Sequence, residues 1–496
     1  DSPPPPNILF IITDDLNDAI SGLGGHPQAN TPHLDRLRQR GISFTNAHAN
    51  SPLCAPSRGS FLSGYHPHTS SYYSPRIPGV GRSHWQENEL LRRSRTIMEH
   101  FTAEGYLVLG TGKVFHNHHE DWTDWFDAEG RSHFGHAPSW GPWPWDGARP
   151  NGGWGGAVSH PGETVSLDID GNFASLADIP VVPPNPDDGS PGFTGWRLYR
   201  QPFHHASDKD RDLLPDELNT RWTQEQLQQD FELPFLMIVG LNRPHSPLYA
   251  PQEYFDRFPL EEIQLFPTKP DDIADTALLP RTETAEWSTG RHGFERYEQI
   301  IHAGGEGLLR KWTQAYLANV AFVDDQVGAM LDALAASDHA DNTIVIFTSD
   351  HGYHMGDKGI VFNNTLWDKA TRVTLIFAGP GIEAGRKSHR PVSLIDLFPT
   401  LNDLAGISNE PNAQTHQLPL EGTSLQALFN ASTEDRWTGP DHVIMSIGVN
   451  RLDPQTEQPL GAETSHFAVR SQDFRYIRYN NGEEELYHNA EDPLEW

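Results

Sequence analysis

The sequence predicts an α/β fold: a large central sheet, mixed but mostly parallel, flanked by helices, with a small C-terminal α+β subdomain on an antiparallel sheet. Three observations carry this. The continuous apolar runs NILFIIT, PFLMIVGL and NTIVIFTS have the length and β-branched content of strands buried on both faces. Helical patterns alternate with them, which implies a largely parallel sheet with its site beyond the strand C-termini. After about Leu404 the rhythm changes: SHFAVRSQDFRYIRYN and EEELYH alternate like half-exposed antiparallel strands. The expected organisation is a catalytic domain over 1–404 and a C-terminal subdomain over 405–496.

Taken in order, NILFIITDD runs from Asn7 to Asp15 and delivers two carboxylates at the end of a buried strand. In TPHLDRLRQRG, Thr31 is the expected N-cap, Pro32 the first helical residue and Gly41 the stop. CAPSRGSFLSG places Cys54 in a Pro-containing turn, with a short helix starting near Ser57. RTIMEHFTAEGY reads as a helix ending at Gly105, followed by the strand LVLGTGK from Leu107 to Lys113. From about Asn117 to Arg200 the chain is rich in Trp, Gly and Pro, too aromatic for ordinary disorder, and reads as ordered insertion loops. LLRKWTQAYLANVAFVDDQVGAMLDALAAS is the longest helical pattern, and TIVIFTSDHG, from Thr343 to Gly352, is a third strand ending in polar residues.

Composition limits the function. The 496 residues can bury a large core, and the net charge of −31 argues against general nucleic-acid binding. Any anion site must be locally positive against that background. No apolar run reaches about 18 residues, so no membrane span is expected. DSPPPP is a stiff, solvated lead-in.

Asp14 and Asp15 are costly after a buried strand unless a cation or positive side chains neutralise them, although an N-cap plus a turn residue would also explain them. Asp350 and His351 in SDHG form a second polar pair after another buried strand. An oxygen-rich set of this kind suits Ca²⁺ or Mg²⁺ better than zinc. Cys54 is the only cysteine. It reads either as a small buried apolar residue or, beside Arg58 and a helix N-terminus, as a low-pKa thiolate. HNHHE, from His116, also mimics a transition-metal tract.

Cys54-Ala55-Pro56-Ser57-Arg58, followed by Ser63-Gly64, resembles the signature of the type I, formylglycine-dependent sulfatases. NILFIITDD, GTGKVFHNH, GLNRPHSPL, FTSDHGYHMGD and the C-terminal tail are similar to further family segments, so the likeness covers nearly the whole chain. The forms KVFH and RPH most resemble the iduronate 2-sulfatase and bacterial polysaccharide sulfatase branch.

The resemblance implies an alkaline-phosphatase-like sandwich and hydrolysis of a sulfate ester on a sulfated oligosaccharide or polysaccharide. The expected substrate is a glycosaminoglycan or algal carbohydrate, attacked in exo fashion. It implies that a formylglycine-generating enzyme converts Cys54 to Cα-formylglycine, whose hydrated form supplies the nucleophile. Asp14, Asp15, Asp350, His351 and modified Cys54 would hold Ca²⁺, or Mg²⁺. Arg58 would orient the diol, Lys113 bind sulfate, His116 serve as base in sulfate elimination and His245 protonate the leaving oxygen. Export to the periplasm, cell surface or medium is expected on the same ground.

One position departs from the family pattern. Where a sulfate-contacting lysine is expected beyond the Asp-His pair, this chain has Asn363; Lys358 would substitute only if the loop is displaced. An amide donates a hydrogen bond but brings no charge. The Trp-rich insertion, GWRLYR and PRIPGVGR are candidate sugar-contacting segments. A phosphonate or phosphate monoesterase on the same scaffold, and a catalytically silent carbohydrate-binding relative, are the alternatives.

Overall fold

A computed structural model describes residues 4–116, 134–143, 173–198, 201–278, 291–448 and 464–496, apart from positions 75, 78–80, 83–84, 86–87, 185, 188 and 190. Most of the Trp-rich insertion, HNHHE beyond His116, much of PRIPGVGR and the end of GWRLYR lie outside the described residues.

The central sheet has eight strands: β1 (Asn7–Asp14), β2 (Gly41–His48), β3 (Leu107–Gly112), β4 (Phe235–Pro244), β5 (Thr343–Ser349), β6 (Arg372–Ala378), β7 (Arg386–Ser388) and β8 (Val392–Ser393). They run in the order β7–β2–β6–β5–β1–β4–β3, with β8 also paired to β2. The neighbours β5, β1, β4 and β3 are mutually parallel, whereas β6 is antiparallel to both β5 and β2.

The unbroken apolar runs follow from burial on both faces. Along β1, Leu9 and Ile11 face one core, while Ile8, Phe10 and Ile12 face the other. The first core is closed by the long helix Arg291–Ala335, through Leu309, Trp312, Tyr316, Val320 and Val323. The second is closed by Phe61, Leu62, Phe101, Leu397 and Leu401. The C-terminal strands His442–Ile447, His466–Ser471, Phe474–Arg478 and Glu484–His488 form a four-stranded antiparallel sheet.

Local expectations need two corrections. The first helix does end just before Gly41, which then begins β2, where a Cβ would lie 1.9 Å from the Phe377 carbonyl oxygen. The helix Pro32–Gln39 follows Thr31 as expected, but the Thr31 side chain does not cap it. Asp324 of the long helix does so instead, accepting from the His33 and Leu34 amides at 3.0 and 2.8 Å. The helix expected near Ser57 starts at Cys54, with Leu53 as its N-cap residue, and runs to Ser63. Gly305 breaks the long helix with φ 59°.

Candidate active site

Four adjacent parallel strands release polar residues at the same edge. β1 ends on Asp14 and is followed by Asp15, β5 is followed by Asp350 and His351, β3 by Lys113, and β4 leads through Arg243 to His245. Two glycines permit the approach of β3 and β4. A Cβ on Gly112, which has φ 73°, would lie 1.9 Å from the Gly240 carbonyl oxygen, and one on Gly240 would strike the Lys113 backbone. The short loop after β2 brings Cys54 to this edge as the first residue of its helix.

Ligand-capable atoms of Asp14, Asp15, Cys54 and His351 all lie within 4.8 Å of one another, and all four residues are buried. Cys54 Sγ donates towards Asp14 Oδ1 at 3.4 Å, and His351 Nε2 is 3.2 Å from Sγ. His351 Nδ1 is 3.4 Å from Asp15 Oδ1, and Nε2 is 3.7 Å from Asp350 Oδ1. Asp15 has φ 63°, a left-handed conformation that costs about 1–3 kcal/mol in a non-glycine residue and is concentrated at functional sites. Three buried carboxylates and an imidazole make a hard, oxygen-rich donor set that fits Ca²⁺ or Mg²⁺.

Two buried cations partly balance the carboxylates. Arg58 Nε donates to Asp350 Oδ2 at 2.9 Å, while its other nitrogens donate to the carbonyls of Thr13, Lys113 and Val114. Arg58 therefore ties together the ends of β1, β3 and β5. Lys113 is paired with Asp14. Burial alone would raise the Asp350 carboxyl, but His351, Arg58 and Lys113 outweigh it and hold the group below the usual carboxylate range.

The surroundings of Cys54 count against its reading as a low-pKa thiolate. Burial, then Asp350 and Asp15, push its thiol well above the ordinary cysteine value, and Arg58 opposes them too weakly. A buried thiol among carboxylates is a poorer nucleophile than an exposed one. Burial, with help from Lys113 and Arg58, pushes His116 well below the ordinary histidine value, and its Nδ1 has no hydrogen-bond partner among the described residues. Burial and Lys113 do the same to His245, whose Nδ1 donates to the Ser246 carbonyl while Nε2 faces Asp15 Oδ2 at 3.8 Å. Both imidazoles are thus neutral at pH 7.

Asn363 reaches the same cluster. Its Nδ2 donates to Asp15 Oδ1 at 3.1 Å and lies 3.5 Å from His351 Nε2. Its neighbours Phe362 and Asn364 have φ 75° and 65°, and the Asn364 amide donates to the Pro52 carbonyl at 2.9 Å. Lys358 does not replace it. That ammonium is buried against Asp272 and the Glu495 carbonyl, over the rings of Trp367 and Tyr487.

Motif reading missed the supports of these residues. Tyr316 donates to the Asp15 carbonyl at 2.8 Å and accepts from the Asn17 amide at 3.0 Å. Asp216 accepts from the amides of Asn242 and Arg243, fixing the end of β4. Only the acidic first turn of PDELNT hinted at the second. Trp140 and Trp196, from the insertion, are buried and are not open sugar platforms.

A sulfatase family model matches residues 6–407. A sulfatase of Formosa agariphila is 32% identical, covering 99% of this chain and 82% of that protein. Iduronate 2-sulfatase of Mus musculus is 30% identical, covering 85% of this chain and 73% of that protein. A solved structure holding its substrate, D-glucosamine-2-N,6-O-disulfate, superposes with TM-score 0.63 over 99% of this chain and 92% of that one, at 19% identity. The sheet order and flanking layers are those of the alkaline-phosphatase-like fold. This chain belongs to the sulfatase family of sulfuric ester hydrolases.

Proposed function

We propose that the protein hydrolyses a sulfate ester on a sulfated carbohydrate, in exo fashion, using a nucleophile matured from Cys54. The observation that supports this reading most is the cluster of Asp14, Asp15, Cys54 and His351, with Arg58 and Lys113 beside it. The carbohydrate class rests on what the relatives act on, a sulfated iduronate and a sulfated glucosamine by name. Maturation requires a formylglycine-generating enzyme, and export is part of the same proposal.

Cα-formylglycine at position 54 would supply, once hydrated, an oxygen nucleophile, and Asp14, Asp15, Asp350 and His351 would hold Ca²⁺, which would supply Lewis-acid polarisation. The chain's own residues do the rest. Arg58 orients residue 54 and Asp350 through its fixed guanidinium. Lys113 brings positive charge to the sulfate oxygens, and Asn363 adds an uncharged donor. His116, neutral and half-buried, is suited to accept the proton lost when sulfate is released. His245 protonates the leaving alcohol; an entering sulfate adds negative charge beside it, which favours the protonated imidazole.

The test is release of inorganic sulfate from defined sulfated oligosaccharides by protein matured with the modifying enzyme, with aryl sulfate and aryl phosphonate compared in parallel. Preference for the sulfate esters supports the reading. Faster turnover of the phosphonate, or no turnover of any sulfate ester, would overturn it.

A further inference from the structure

None of these roles uses Trp140, a residue 8% exposed that forms one wall of the site. Lys113 Nζ lies 5.0 Å from the centroid of its ring. His116 and His245 meet the indole in T-shaped contacts, at centroid separations of 6.4 and 6.2 Å. One aromatic side chain therefore touches the three side chains assigned to sulfate binding and proton transfer.

The backbone around Trp140 is clamped as well. Arg243, itself buried, donates from Nη2 to the carbonyls of Trp140 and Gly141 at 3.0 and 3.2 Å. From Nη1 it donates to the His245 carbonyl at 3.0 Å. Asp216 holds the Arg243 amide at 2.9 Å, so a single guanidinium fixes Trp140 and His245 relative to one another.

We propose that Trp140 is a positioning residue for sulfate-ester cleavage, holding the Lys113 ammonium and the His116 and His245 imidazoles in the arrangement that receives the sulfate group; this rests on the sulfatase reading above. The lysine stem is flexible, and Asp14 draws its ammonium to one side. The negative face of the indole opposes that pull with a fixed attraction of its own. The T-shaped contacts limit the rotation open to the two imidazoles. Displacements of about 1 Å at such groups cost roughly 100-fold in rate, so a rigid wall has kinetic value.

The experiment compares W140L and W140F, each with intact Lys113 and in a K113M background, by steady-state kinetics on an aryl sulfate and by thermal melting. W140L should lower kcat at least about tenfold while KM changes less than about threefold, and W140F should retain activity within about threefold of wild type. In the K113M background, W140L should cost much less than it does with Lys113 present, because part of its effect runs through that residue. Equal costs in the two backgrounds, a wild-type kcat for W140L, or W140F as impaired as W140L would each overturn the proposal. If W140L does not fold, W140M takes its place in the cycle with K113M and is read by the same criterion. Wild-type protein inactive on every sulfate ester would instead remove the underlying reading.

Discussion

Asn363 donates from Nδ2 to Asp15 Oδ1 at 3.1 Å, inside a cluster built from charged groups, imidazoles and the Cys54 thiol. This contact places a neutral donor where the family resemblance leads one to expect an ammonium. Charge-assisted hydrogen bonds are roughly twice as strong as neutral ones, so N363K should lower KM for sulfate esters by about three- to tenfold. The same ammonium would compete for Asp15, so the variant should also need more Ca²⁺ for full activity. Unchanged KM in a variant that melts like wild type would show that the position does not meet sulfate.

His245 can be separated from a merely structural histidine by leaving-group dependence. A general acid matters most when the departing oxygen is basic. H245Q should therefore lose about 100-fold or more on a sugar sulfate but less than about tenfold on a nitrophenyl sulfate. Equal losses on both would argue for a packing role.

Chelation tests the carboxylate cluster. EGTA should reduce turnover more than about tenfold and lower the melting temperature, because an ion that binds only the folded state stabilises it by mass action. Ca²⁺ should restore both better than Zn²⁺, as expected for a site richer in carboxylate oxygen than in nitrogen or sulfur. Full activity and an unchanged melting curve in EGTA would contradict the assignment.

Asp396 gives a pH prediction outside the site. Burial raises its carboxyl to about 6, although it accepts from the Ser393 and Thr423 amides. A carboxyl with a raised folded-state pKa binds more protons folded than unfolded, so its contribution to stability declines as pH rises through that interval. A tenfold difference in proton affinity between the folded and unfolded chain corresponds to about 1.4 kcal/mol. D396N should therefore gain stability relative to wild type between about pH 4 and pH 6, by about 1–3 kcal/mol in denaturant titrations. A pH-independent difference would contradict it.

The sheet and most of the charged site were legible because their signals are local. A strand buried on both faces must be apolar throughout, and the polar residues that follow it then stand out, as Asp14 and Asp350 do. What stayed hidden depends on partners distant in sequence. Asp324 caps a helix about 290 residues earlier, which no local pattern announces. Whether a displaced loop would offer Lys358 to sulfate depended on Asp272 and the Glu495 carbonyl, which hold it elsewhere. Trp140 sits in a segment whose composition suggested sugar contacts, whereas its ring packs on Lys113, His116 and His245. The raised thiol of Cys54 likewise depends on burial first and then on Asp350 and Asp15, all of which only the fold supplies.

The most direct test is the mass of the tryptic peptide 41–58, which contains Cys54, from protein made in its native host or together with a formylglycine-generating enzyme. Conversion of the thiol to the aldehyde lowers the mass by about 18 Da, and the account predicts that this species dominates and that its fraction tracks sulfatase activity. An unmodified thiol in fully active protein would contradict it.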